Sequence, residues 1–382
     1  MKAIFLKHKS LRKKSDLQSY YFCPNLNILL FMNPIKKIQL IFLVPFFVAC
    51  NSETNKETAH GGEASANTVD SLEKTISNIE ISKPSAESKL DTVEYNKRLV
   101  QLSNGDSTGR WPVKTKFPYP GAILPFNRIV AYYGNLYSKK MGILGELSEN
   151  AMLDSLKAEV ARWTKADTAT PAIPALHYIV TTAQLDPGKN GKYMLRMPFG
   201  QVDKVIDMAN RIEALVLLDI QVGHSNLQEE VPRLNEYLKK PNIHLGIDAE
   251  YSMKTGARPG SKIGYFDAED INFTIQHLAK IVDEHHLPPK VLIVHRFTQG
   301  MVKDYKQIKT VPQVQVVMTM DGWGNKPKKI NTYRQFIYPE PVQFTGFKLF
   351  YKNDTEKVGA DRVMYPHEVL ALKPKPIYIQ YQ

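Results

Sequence analysis

Eight short β-rich apolar runs, helix-period segments between the earlier of them, and the span from Ile129 to Gln382 predict an α/β fold, a single (β/α)8 TIM-type barrel. The span, residues 129–382, matches the roughly 250 residues typical of that architecture. The runs are Ile129–Gly134, Ala175–Thr181, Leu215–Gln221, Ile243–Glu250, Val291–Arg296, Val314–Asp321, Thr345–Tyr351 and Ile377–Tyr381. They alternate little between apolar and polar residues, as strands covered on both faces of a parallel sheet do. Between them, Ser148 stands at a helix-cap position ahead of Leu153, Leu156, Val160 and Trp163 on one face. Val202, Val205, Ile206 and Ala209 form a second stripe, and Leu227, Val231, Leu234 and Leu238 a third. Asp267 opens a fourth with Ile271, Ile275, Leu278 and Val282. After Gly300 the helical period weakens, which predicts short or irregular connections. An open doubly wound sheet is the competing fold. It would carry a glycine-rich phosphate turn after its first strand, and YYGNLYSKK over residues 132–140 is not G-x-G-x-x-G.

Ahead of the barrel the sequence predicts a signal segment and a disordered tether. A chain that is 43% hydrophobic, 10% aromatic and 23% charged excludes wholesale disorder, a collagen-like chain and a multispan membrane protein. Two cysteines exclude a disulfide framework. The net charge of +12 raises nucleic-acid binding, and its distribution decides the matter. Residues 1–50 carry +7, residues 51–94 carry −5 and residues 95–382 carry +10. On the last of these the basic residues are dispersed, without the density of a nucleic-acid-binding arm, so no nucleic-acid partner is expected. The apolar run over residues 38–48 is shorter than the roughly 20 residues of a spanning helix, and with its basic flank it fits a signal peptide.

That run ends in Phe47-Val48-Ala49-Cys50, which resembles the lipobox of bacterial lipoproteins. The resemblance implies cleavage before Cys50, lipidation of its thiol, and a membrane partner through the lipid anchor. Cys23 would leave with the leader, so cysteine catalysis and cysteine-ligated metal are not expected. Met32-Asn33-Pro34-Ile35-Lys36-Lys37 reads as an ordinary signal-peptide beginning. The expected organisation is therefore an upstream extension over 1–31 and a signal peptide over 32–49. A lipidated cysteine with flexible tether follows over 50–94, and the barrel over 95–382. Residues 51–94 contain no Phe, Trp or Tyr and cannot bury enough apolar surface to offset ordering. The location expected is the cell envelope.

In a (β/α)8 barrel, functional groups gather at the C-terminal ends of the strands. Here those ends offer Tyr132 and Tyr133, His177, Asp219 and Gln221, Asp248 and Glu250, His295 and Arg296, Asp321 with Trp323, Tyr351, and Tyr378 with Gln380. Residues two apart on a strand share a face, so Asp248 and Glu250 are expected to enter the mouth together. Two adjacent carboxylates do not both ionise cheaply, and one becomes a candidate general acid. A solvated strand end, or carboxylates paired to Arg296 and Lys348 for structure, is the plainer alternative.

Gly246-Ile247-Asp248-Ala249-Glu250-Tyr251 resembles the end of the fourth-strand signature of family 18 chitinase-like glycosidases, D-x-x-D-x-D-x-E. Met318-Thr319-Met320-Asp321-Gly322 is similar to that family's sixth-strand M-x-Y-D segment. The resemblance implies Glu250 as general acid, Asp248 as the residue that orients a substrate acetamido group, and Asp321 as a supporting contact. Gly246 and Ile243 stand where the signature has its earlier aspartates, and Met320 where the second segment has tyrosine. A simple two-carboxylate mechanism would instead pair Glu250 with Asp219 or Asp321.

A sugar ligand would find stacking faces in Tyr132, Tyr133, Trp323, Tyr351 and Tyr378, and polar partners in Gln221, His295, Arg296 and Gln380. The leading expectation is a glycoside-hydrolase-like protein acting on a polysaccharide or cell-wall glycan, without a cofactor. A second is a carbohydrate-binding lipoprotein on a barrel that does not cleave. A third is a metal-dependent hydrolase using His177, Asp219, Asp248, Glu250 and His295, although no H-x-H or H-E-x-x-H pattern accompanies them.

Overall fold

Strands buried on both faces organise the chain in the computed structural model, which describes residues 89–382. Cys50, the signal segment and most of the expected tether lie outside the described residues. The first element is helix α1, Thr92–Ser103, capped by Asp91, whose carboxylate accepts the backbone N–H of Val93 at 3.0 Å and of Glu94 at 2.9 Å. The polar composition around it gives this helix no clear apolar stripe in the sequence.

The eight expected strands all form. They are β1 (Arg128–Gly134), β2 (Ala172–Ala183), β4 (Leu215–Ile220), β5 (Ile243–Asp248), β6 (Lys290–Arg296), β7 (Val314–Met320), β8 (Phe344–Leu349) and β9 (Tyr378–Tyr381). All pair in parallel, and β1 pairs with both β2 and β9, so the sheet closes on itself. The additional strand β3, Met194–Arg196, runs antiparallel to the end of β2 outside the ring.

Helices α2 (Glu149–Ala166), α3 (Phe199–Asn210) and α4 (Ala268–His285) form on the expected apolar stripes. Leu156 and Trp163 of α2, Val202 and Val205 of α3, and Ile271, Ile275 and Leu278 of α4 are fully buried against the strands. Ser148 sits at the cap of α2 but its side chain makes no capping bond. Asp267 caps α4 in a reciprocal pair with Asp270, each side chain accepting the other's backbone N–H at 3.1 Å. The third stripe is buried as expected, but as three short turns, Leu227–Glu230, Pro232–Leu234 and Asn235–Leu238. Pro232 lacks the N–H that a continuous helix would use. Beyond Gly300 the helices are short: α5 is Lys326–Thr332 and α6 is Pro366–Leu370.

The barrel interior has two halves. Its N-terminal half is a closed apolar core of Ile129, Ala131, Ala175, Leu217, Val291, Ile293 and Val317, reached from below by Leu102 of α1. Two residues further along several of the same strands the inward positions become Tyr133, His177, Asp219, His295 and Thr319. No helix among the described residues is long and apolar enough to cross a membrane.

Candidate functional site

Strand register brings the polar positions together. Tyr133 is the register partner of His177, Asp219 of Gly246, and His295 of both Asp248 and Thr319. Neighbours in register send side chains to the same face, so these strands contribute to one cluster inside the C-terminal half. Glycine makes it possible. A Cβ on Gly246 would lie 2.3 Å from Nε2 of His177 and 2.4 Å from Oδ1 of Asp219, and a Cβ on Gly346 would lie 2.5 Å from Oγ1 of Thr319. The aspartate that the family 18 signature has at position 246 has no room here.

Asp219 is the hub of the deeper layer and is wholly buried. Its Oδ2 accepts the Tyr133 hydroxyl at 2.8 Å, while Oδ1 faces Nε2 of His177 and Nε2 of His295, each at 3.3 Å. The other ring nitrogens are also engaged. Nδ1 of His177 lies 2.6 Å from the Tyr378 hydroxyl, and Nδ1 of His295 lies 2.9 Å from Oδ2 of Asp321. Oδ1 of Asp321 meets the Lys348 ammonium at 2.8 Å, and that ammonium sits 4.1 Å from the centre of the Tyr133 ring. Burial opposes charge on His295, yet the carboxylates of Asp219 and Asp321 on its two sides hold its pKa up at about 10. Burial likewise opposes ionisation of Asp219 and of Asp321. The facing cations nevertheless hold both below the usual carboxylate range, His295 and His177 for Asp219, Lys348 and His295 for Asp321. His177 has its pKa lowered, chiefly by burial.

The outer layer is where the mouth begins. Asp248 ends β5, and its carboxylate accepts the Gln221 amide at 3.2 Å and the backbone N–H of Glu250 at 3.0 Å. The chain leaves the strand at that residue, and Ala249–Tyr251 form a tight turn. Glu250 therefore does not share a strand face with Asp248, as the sequence had implied; it projects from the turn. Its carboxyl is half-buried and, unlike the other acids of the cluster, has no hydrogen-bond partner among the described residues. Burial, then the charges of Asp248 and Asp321, push its pKa up to about 8. Burial also raises the pKa of Asp248; Asp219 and Asp321 add to the effect and His295 opposes it. Glu250 is thus a carboxylic acid near neutrality, within reach of solvent, above a buried anionic network.

Other expected site residues lie elsewhere. Tyr132 and Tyr133 are adjacent, so only one can face inward, and it is Tyr133. Tyr132 is fully buried on the outer side of the sheet, bonded to Ser155 of α2 at 2.7 Å and to Tyr351 at 3.1 Å. Tyr351 stacks on Tyr381 at 5.1 Å and donates to Glu159 of α2 at 3.2 Å. Arg296 follows the inward His295 and points away from the interior, paired with Glu340 and bonded to the carbonyls of Thr298 and Gln299. Trp323 is half-buried in the loop after β7 beneath the ammonium groups of Lys328 and Lys357. Tyr378 and Gln380 do face inward, the tyrosine donating to the glutamine at 3.1 Å. Lys348, expected from the sequence as a structural partner of the carboxylates, does pair with one of them, Asp321, inside the cluster. A cleft of about 580 Å³ lined by Gly324, Asp354, Arg362 and Tyr365 shares no residue with this centre.

Among the described residues, His177, Asp219 and His295 each turn a potential ligand atom inward, and these atoms all lie within 4.8 Å of one another.

No protein-family model matches the chain, and no curated protein matches it. Solved structures align at low similarity. The spore coat polysaccharide biosynthesis protein spsE of Bacillus subtilis is 12% identical at a TM-score of 0.33, over 67% of this chain and 59% of that one. The Bacillus subtilis mannanase BCman is 13% identical at a TM-score of 0.35, over 68% of this chain and 81% of that one. The Bacillus subtilis mannanase man26 is 13% identical at a TM-score of 0.34, over 67% and 80%. The chain spans about three fifths of the first of these. The closed ring of eight parallel strands itself identifies the fold as a (β/α)8 barrel.

Proposed function

We propose that the protein is a hydrolase of glycosidic bonds, exported and held at the cell envelope by lipid on Cys50, with Glu250 as its general acid. One observation carries the catalytic reading: Glu250 offers a solvent-reachable carboxyl with no hydrogen-bond partner among the described residues, at the C-terminal mouth beside the buried carboxyl of Asp248. A protonated carboxyl there can give its proton to the leaving oxygen of a glycosidic bond. Asp248, fixed by Gln221 and by the backbone of the turn, faces the positive charge that develops on the sugar ring. The anchoring part rests on the lipobox-like sequence ahead of Cys50.

Reducing-end release from a panel of soluble β-mannan, chitin oligosaccharides and peptidoglycan tests the reading. Wild-type protein is expected to cleave one class, and Glu250→Gln to lose about 10²–10⁴-fold of the rate while still binding that glycan. Wild-type protein that binds one of the glycans but releases nothing overturns catalysis. That outcome favours the second reading, a binding module, for which the supporting observation is how fully Asp219, His177 and His295 fill the barrel interior.

A further inference from the structure

Three buried atoms at the barrel centre face one another with no hydrogen bond among the described residues: Nε2 of His177, Oδ1 of Asp219 and Nε2 of His295. Leaving such atoms unsatisfied is costly, and the surrounding bonds make the conflict sharper. The Tyr378 hydroxyl has a single proton and donates it to Gln380 at 3.1 Å, so towards His177 it accepts from Nδ1–H. The lone pair of a neutral His177 then lies on Nε2, aimed at a carboxylate oxygen 3.3 Å away. His295 has a carboxylate at each ring nitrogen: Nδ1 is turned to Asp321 at 2.9 Å, and Nε2 meets the same Oδ1 of Asp219 at 3.3 Å.

We propose that His177, Asp219 and His295 bind one divalent transition-metal ion of the zinc class. A cation between these atoms takes the Nε2 lone pair of His177 and displaces the Nε2 proton of His295 to solvent, so that both imidazoles and Asp219 become ligands. The 3.3 Å separations match those between ligands placed about 2.0–2.1 Å from a tetrahedral ion, close to 3.3 Å. Two imidazoles and a carboxylate are the borderline donors that zinc accepts, with a fourth position left for water or a substrate oxygen. The outer contacts are those a metal site requires. Asp321 and the Tyr378 hydroxyl fix the two imidazole rings through Nδ1, and Tyr133 holds the second oxygen of Asp219 at 2.8 Å. Gly246 keeps the cradle open, since any Cβ there would crowd both His177 and Asp219. Such an ion supplies Lewis acidity beneath the mouth. The inference does not rest on the glycosidase reading.

The test uses the full chain, purified without chelator for elemental analysis and then stripped with chelator for titration with zinc chloride and cobalt(II) chloride. One ion per chain is expected in the titrations, with the visible absorption of tetrahedral cobalt and a melting temperature that rises with zinc. His177→Ala and His295→Ala are expected to abolish saturable binding. Tyr378→Phe, which keeps all three ligands, is expected to weaken it about 10–100-fold. Stripped wild-type protein that takes up neither ion, or Tyr378→Phe and His295→Ala proteins that bind as tightly as wild type, overturns the proposal. Should the histidine variants fail to fold, Tyr378→Phe decides alone. Glu250→Gln is expected to bind zinc like wild type while losing hydrolysis, so failure of the metal site and failure of the general acid are read separately.

Discussion

The two halves of the barrel interior are built on the same strands yet do opposite work. On β4, Leu217 faces the apolar half and Asp219 the polar half; on β6 the pair is Ile293 and His295; on β2 it is Ala175 and His177. One step of two residues, a single turn of the strand alternation, separates a side chain that excludes water from one that carries charge. The lower half is stabilised by burial of apolar surface. The upper half contains three aspartates, two histidines and a lysine, almost all wholly out of solvent, an arrangement that burial alone disfavours. It persists because Asp219 and Asp321 face His295 and Lys348, while Asp248 is held by the Gln221 amide and a backbone N–H. Stability and chemistry are thus stacked along one axis, and substitutions in each half should separate them.

The largest expected effect lies in the upper half: Glu250→Gln removes the proposed general acid, and the proposed glycan hydrolysis should fall about 10²–10⁴-fold with the fold intact. In the lower half Ile293→Ala should cost about 2–5 kcal/mol of unfolding free energy, seen as a lower denaturant midpoint, while leaving the upper cluster's chemistry in place. Gly246→Ala spans the two, because its Cβ would press on His177 and Asp219 at 2.3 and 2.4 Å. It should cost about 1–3 kcal/mol through overpacking and disturb the cluster as well, a combination that Ile293→Ala does not produce.

The smallest effect has the most particular sign. The pKa of Glu250 stands at about 8 in the folded protein, above its ordinary value, so the folded state holds this proton when the unfolded chain has released it. That contribution to stability is fully present below the ordinary carboxylate range and is lost as pH rises towards about 8. Glu250→Gln has no such loss. Near pH 8 it should be more stable than wild type by about 1–2 kcal/mol, after allowance for the solvent that reaches the carboxyl, and the difference should vanish near pH 4. A stability difference that grows towards acid pH instead would show that the carboxyl is held ionised.

The strands were legible because a parallel strand covered on both faces has to be an unbroken apolar run, and each run here ends in polar residues. Pro232 marked the one place where a periodic stripe does not become a single helix, a signal the periodicity alone conceals. The short strand β3 lacked length, and α1 lay where the tether's polar composition runs into the barrel. At the site, residue types were easier to read than directions. His177, Asp219, His295, Asp248 and Asp321 were found by their positions at strand ends. Tyr132 and Arg296 were grouped with them because sequence does not say which of two neighbours faces inward, and only register settles that. Gly246, read as a departure from a glycosidase signature, is the residue that lets His177 and Asp219 meet.

The pH dependence of kcat/KM for glycan release tests the central claim, that Glu250 acts in its protonated form at the mouth, most directly. Glu250 is surrounded by Asp248, Asp321, Lys348 and His295, and with burial their balance sets the loss of its proton at about pH 8. The rate should fall about tenfold per pH unit above that value, and should also fall below about 7, where Asp248 takes up its proton. A rate that stays level from about pH 6 to about pH 10 would contradict the assignment of Glu250 as the acid.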